Sequence, residues 1–196
     1  MIDQVLDFLR VQLDGYLRMK LDPLNTSPFI QLANVAWNDS ETVAGSGGDA
    51  SDAFISLVNI EEDRISRSQE NFTRTSSLVT YKNPKVYLNL YLLFSVNLSS
   101  YTESLKRLSY IIQFFQYRNV FTTLTSPSLP DGVGELILDM TTLSYQDLNN
   151  LWGIMGSKYL PSVMYKMRLI TISEEFAQGE AGLIGQVAIN AKNISA

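Results

Sequence analysis

Cysteine and histidine are both absent from the 196 residues. Without cysteine there is no disulfide, no thiolate metal site and no thiol nucleophile. Without histidine the commonest general base and the commonest transition-metal ligand are gone, and a Ser-His-Asp triad cannot be built from this chain. Carboxylate, lysine and tyrosine chemistry remain open. Charge is also sparse: 18% of residues are charged, with fifteen Lys and Arg against twenty Asp and Glu, a net charge of -5. An acidic chain has no general attraction to nucleic acid or anionic lipid, so neither is expected as a partner. Long apolar runs are missing too. The most apolar stretch, Val86 to Phe94, is interrupted by Asn89 and is too short to span a bilayer. The first residues lack the basic flank and apolar core of a secretory signal, so assembly in the cytoplasm and no membrane insertion are expected.

Apolar residues make up 45% of the chain, enough for one domain with a sizeable core. Ile2, Val5, Leu6, Leu9, Leu13, Tyr16 and Leu17 recur at helical spacing and predict a helix over 2–20, stopped by Pro23. Alternation predicts strands at 29–37 and 54–63 around a glycine-rich loop from Asn38 to Asp52. The polar segment 64–82 reads as an irregular loop or as an extension of the strand pair into a long hairpin. Pro84 precedes the strongest strand, 85–95. Val86, Leu88, Leu90, Leu92 and Phe94 fill one face and Tyr87, Asn89, Tyr91 and Leu93 the other, as in a strand covered on both sides.

Ser100 and Glu103 form a capping box for a helix over 100–117. Its core stripe is predicted to be Tyr101, Leu105, Leu108, Ile111, Ile112 and Phe115. Residues 135–141 read as a strand, and Ser144 with Asp147 caps a third helix that carries Leu148, Leu151, Trp152 and Met155 and ends at Gly156. A strand at 162–173 follows. The expectation is an α/β (α+β) domain over 1–175, a single mixed sheet with helices packed on it, followed by a C-terminal arm, 176–196.

Candidate chemistry is thin. Glu61-Glu62-Asp63 is the densest acidic run, but side chains along one strand alternate between faces, and a polar strand end balanced by Arg64 and Arg67 explains it better than a metal site. Gly45-Ser46-Gly47-Gly48 is followed by Asp49 rather than by Lys-Ser/Thr, so it reads as a loop and not as a phosphate cradle. No cofactor is expected. Arg64, Arg67 and Arg74 make the middle of the chain locally basic, which suits a solvated hairpin or contact with an acidic partner. In the helix over 100–117, Tyr110, Phe114 and Tyr117 fall roughly opposite the core stripe, beside Glu103, Lys106 and Arg107. Either another part of the same chain covers this aromatic ridge, or it meets a second subunit.

Three segments carry a resemblance to a known family: Leu57-Val58-Asn59-Ile60-Glu61-Glu62-Asp63, the strand Val86 to Phe94, and Leu108-Ser109-Tyr110-Ile111-Ile112-Gln113-Phe114-Phe115-Gln116. Together they resemble the N-terminal domain of cap (tail-terminator) proteins of phage-tail-like contractile injection systems, of the antifeeding prophage and Photorhabdus virulence cassette type. The resemblance implies a tail-terminator-like fold and a structural, non-enzymatic role. It implies a sixfold homo-oligomeric ring on the distal end of the particle, which contacts the inner tube and the sheath and ends their polymerisation. The particle itself is released, cytosolic or membrane-anchored. The family's longer C-terminal region corresponds here to no more than 174–196.

On this reading Tyr110, Phe114, Tyr117, Glu103 and Arg107 are the expected ring interface. Arg64, Arg67, Arg74 and the alternating Val187 and Ile189 are the expected partner contacts, with the arm adding a strand to a neighbour. The alternatives are another structural component of the same particle, such as a baseplate or tube adaptor, and a small enzyme in which Glu61 or Glu62 converges with an acid such as Asp139.

Overall fold

The computed structural model describes residues 1–35, 53–63, 72–74, 78–81, 86–156, 158–172 and 179–182. Helix α1, Ile2–Leu21, follows its apolar face: Val5, Phe8, Leu9, Leu13 and Leu17 are buried. Asp3 lies in its first turn and Arg18 and Lys20 in its last, as the helix dipole favours. Asp14 is the exception on this helix, a buried carboxylate. It accepts the Phe29 backbone N–H at 2.6 Å and an Arg18 N–H at 2.9 Å, and Arg18 also donates to the Asn25 carbonyl. One buried acid therefore ties the helix to the chain that returns beneath it.

That tie explains a correction. The strand expected over 29–37 is reduced to β1, Gln31–Leu32. The Phe29 N–H is spent on Asp14, Phe29 and Ile30 go into the core, and the last ladder bond is Ala33 N–H to the Ile55 carbonyl. The Ser56 hydroxyl then takes the Ala33 carbonyl, and Val35 turns into a second apolar cluster.

The remaining elements are β2, Ala53–Glu62; β3, Phe72–Arg74; β4, Leu78–Tyr81; β5, Val86–Val96; α2, Tyr101–Tyr117; β6, Val120–Thr122; β7, Glu135–Thr141; α3, Tyr145–Met155; β8, Ser162–Ile172; and β9, Gly179–Gly182. Six strands form one sheet in the order β1-β2-β5-β8-β7-β6. The β1–β2 pair is parallel and the other pairs are antiparallel, so the sheet is mixed and the fold α+β. The apolar β5 lies inside the sheet between β2 and β8, as its two apolar faces demand. The strand β6 carried no readable alternation at three residues. The polar middle does not extend β2 and β5: β3 and β4 pair with each other, and β9 adds to β4 in a separate three-stranded sheet.

The two faces of the main sheet are covered differently. On one, Leu90, Leu92 and Phe94 of β5, Leu136 and Leu138 of β7 and Met167 of β8 meet α1 and α2 in the principal core. On the other, Leu93, Phe54 and Met164 meet Val35 and Trp152 of α3 in a smaller cluster. Each buried leucine of this kind stabilises by about 1.5–3 kcal/mol relative to exposure.

Helix α3 is placed by its ends. The Asp147 N–H donates to the Ser144 hydroxyl at 3.1 Å, and Gly156 closes the helix in the left-handed region at φ 64°, where glycine alone is unstrained.

Candidate assembly surfaces

The expected ring contact rested on an outward aromatic ridge along α2, and the structure takes the ridge apart. Phe114 is 5% exposed. Its ring lies 5.3 Å from that of Tyr16 and 5.1 Å from that of Phe115, so it belongs to the principal core of its own chain. Tyr110 is half-buried against the same core. Arg107 stacks its guanidinium over Phe29 at 5.4 Å. The physical reason is α1, which lies antiparallel beside α2, as the Tyr16–Phe114 and Gln12–Arg118 pairs show. The helix is rolled towards Ser104 and Phe114, leaving Tyr101 and Leu105 of the predicted core stripe exposed. Of the expected ring residues, Glu103 and Tyr117 face outward, Tyr117 at 86% exposure. They sit fourteen residues apart, about 21 Å along the helix, so they are not one patch.

The carboxylates do not converge either. Glu61 on β2 accepts the Tyr91 hydroxyl at 2.8 Å and lies 3.6 Å from Lys166. Asp139 on β7 accepts from Arg168 at 2.6 Å. Strands β5 and β8 stand between β2 and β7, which puts the two acids about 14 Å apart across the sheet. Among the described residues no three acidic side chains gather as a metal site would require. These pairs form a flat, internally neutral polar surface on the half of the sheet that α3 leaves open.

Two surface features had little or no signal in the sequence. The first is a groove of about 290 Å³ between α3 and the sheet, lined mainly by Val58, Leu143, Leu151, Ile154 and Met164, with the exposed Asp147 among them. Ile154, at the rim of the groove, is 86% exposed, and Tyr145 at the start of α3 is 94% exposed. A partial signal existed, because α3 contains no lysine or arginine and Asp147 is its one charge. A helix with a purely solvent-facing outer side normally carries more.

The second feature is the turn after β6. Thr122 and Thr125 bond each other through backbone and hydroxyl groups, and the Ser126 N–H donates to the Thr122 carbonyl. Arg118 stacks on Phe121 at 4.8 Å and donates to the Thr125 carbonyl and the Ser126 hydroxyl. This fixed turn holds Leu124 out at 92% exposure.

Of the expected partner contacts, Arg74 lies on β3, opposite Val79 of β4. Arg64, Arg67, Val187 and Ile189 fall outside the described residues, as does the loop predicted from Asn38 to Asp52. The arm places β9 on β4 of its own chain. No helix among the described residues is long and apolar enough to cross a membrane.

Comparison with known proteins follows the same lines. A family model described as the Pvc16 N-terminal domain matches residues 4–186. Among solved structures, the fold is similar to the sheath/tube terminator of the extracellular contractile injection system PVC, with a TM-score of 0.65 and 17% identity over 100% of this chain and 65% of that one. It is also similar to the tube-terminating cap of the anti-feeding prophage, with a TM-score of 0.59 and 14% identity over 92% of this chain and 61% of that one. The chain thus spans less than two thirds of either protein, and at these identities the likeness is one of fold. No curated protein sequence matches the chain.

Proposed function

Because the chain belongs to the Pvc16 N-terminal domain family, we propose that it is a structural cap, a tail terminator that ends the inner tube and sheath of a contractile injection system. The observation that carries this reading is the family match over 4–186, joined to a fold shared with a sheath/tube terminator and a tube-terminating cap. The carboxylate arrangement agrees with it, since Glu61 and Asp139 are each neutralised by a cation and held apart. The role is one of surface fit rather than catalysis.

The working form is a homo-hexameric ring set on the distal end of the particle, contacting inner tube and sheath. Cyclic rings need two different patches on each copy, one meeting the other on the next. Residues 1–175 form the ring body and 176–196 the arm. Strand β9 occupies β4 of its own chain, which leaves Val187 and Ile189 for strand addition to a neighbour or to the sheath.

The direct test is polymerisation of tube and sheath proteins with and without the purified chain, viewed by negative-stain electron microscopy. The expected outcome is shorter, uniform tubes with a density at one end and isolated rings of tube-like diameter in the background. Tubes of unchanged length distribution, with no end density, would refute the reading.

A further inference from the structure

We propose that the Leu124 turn of one copy seats in the groove between α3 and the sheet of the next copy, and that this contact joins neighbours in the ring. The inference rests on the ring reading above and supplies the two complementary patches that reading requires.

Among the described residues Leu124 is the most exposed large aliphatic side chain, at 92%, on a turn held by the Thr122–Thr125 bonds and by Arg118. A leucine held out by a pre-formed turn loses little conformational entropy when it docks. The groove offers about 290 Å³ bounded by Val58, Leu143, Leu151, Ile154 and Met164, room for one aliphatic side chain and the turn that presents it.

Charge agrees with shape. The half-buried Arg118 at the base of the turn donates to neutral groups, the Gln12 side chain, the Thr125 carbonyl and the Ser126 hydroxyl. Asp147 at the groove accepts from the Ser144 hydroxyl and has no cation partner among the described residues. Among the described residues Arg118 on the knob side makes no ion pair, and neither does Asp147 on the groove side; Lys166, over the groove-lining Tyr91, is already paired with Glu61.

Placement agrees as well. The turn leaves the β6 edge of the sheet, whereas the groove opens over β2, β5 and β8, reaching towards the opposite edge. Strands β2 and β6 are four places apart, about 19 Å. Patches at opposite ends of one sheet meet head to tail, and such a contact repeats from copy to copy until it closes.

The chain has no cysteine of its own, so engineered thiols report without background. Leu124→Cys and Ile154→Cys are made as separate proteins, mixed at a concentration where light scattering shows the wild type in rings, and oxidised. The expected product is a disulfide-linked dimer in the mixture and none from either protein alone. A chain carrying both substitutions gives a ladder of linked species up to the full ring. In parallel, Leu124→Asp should weaken assembly roughly tenfold or more without lowering the melting temperature of the monomer, since the side chain is solvent-exposed in the free chain. Rings without the mixed dimer overturn this contact and leave the cap reading standing. Homodimers of Leu124→Cys alone overturn it in favour of a two-fold contact. A wild type that stays monomeric at every concentration, and shows no rings on tube ends, overturns both.

Discussion

At the residue scale the buried polar groups make the sharpest statements. Tyr165 is buried between Phe94 and Phe115, and its hydroxyl has no hydrogen-bond partner among the described residues. Burial pushes its pKa up to about 12. A pKa raised on folding favours the neutral phenol, so stability is intact below about pH 10 and falls as pH rises towards 12. The full loss from this group is on the order of 3 kcal/mol. Tyr165→Phe should flatten that alkaline limb in denaturant titrations. It should also leave neutral-pH stability equal or up to about 1 kcal/mol higher, because an unsatisfied buried hydroxyl is removed. Asp14 is the opposite case, a buried acid fully used by Phe29 and Arg18. Asp14→Ala strands a buried N–H and a cation and should cost about 3 kcal/mol in chemical denaturation. Phe114→Ala should cost about 3–5 kcal/mol in the same assay, as core truncations do, whereas an interface residue would leave monomer stability unchanged.

At the scale of elements, most of the secondary structure was legible. Helix α1, strands β5, β7 and β8 and helix α3 follow from periodicity, caps and stop signals that act within one or two turns of chain. Ile111 and Phe115 of the stripe predicted for α2 are buried and Leu108 packs on the core, but the roll that exposes Tyr101 and Leu105 and buries Phe114 could not be read. The sequence offers apolar residues nearly all round that helix, and burial is decided by α1, whose Gln12 meets Arg118 from 106 residues earlier in the chain. Strand β1 failed for a related reason. Its alternation was real, but Asp14 captured the Phe29 N–H that a longer strand would have used. The ends of α3 were legible and are testable: Ser144→Ala should cost about 1 kcal/mol through the lost cap, measured by thermal melting. Gly156→Ala should cost a similar amount through the left-handed backbone.

At the scale of the whole molecule, assembly depends on surfaces that no single element displays. The expected aromatic ridge dissolved into a core residue, a half-buried one and one exposed tyrosine. The groove under α3 exists because β7, α3 and β8 are consecutive while β5 lies next to β8 in the sheet and β2 beyond it. Tyr117 is the ridge residue still available to a neighbour. Tyr117→Asp should leave the monomer folded, and any fall in ring mass by light scattering would place the end of α2 at a subunit contact.

Legible in the linear chain were the local structure of the longer elements, the acidic and histidine-free chemistry and, through three short segments, the family. Those depend on residue type and near-neighbour spacing, which the chain carries in linear order. The fold alone settles the roll of α2 that buries Phe114, the separation of Glu61 from Asp139 and the groove under α3. Each of these depends on strand order and helix docking, where long-range apolar burial chooses among arrangements that are locally equivalent.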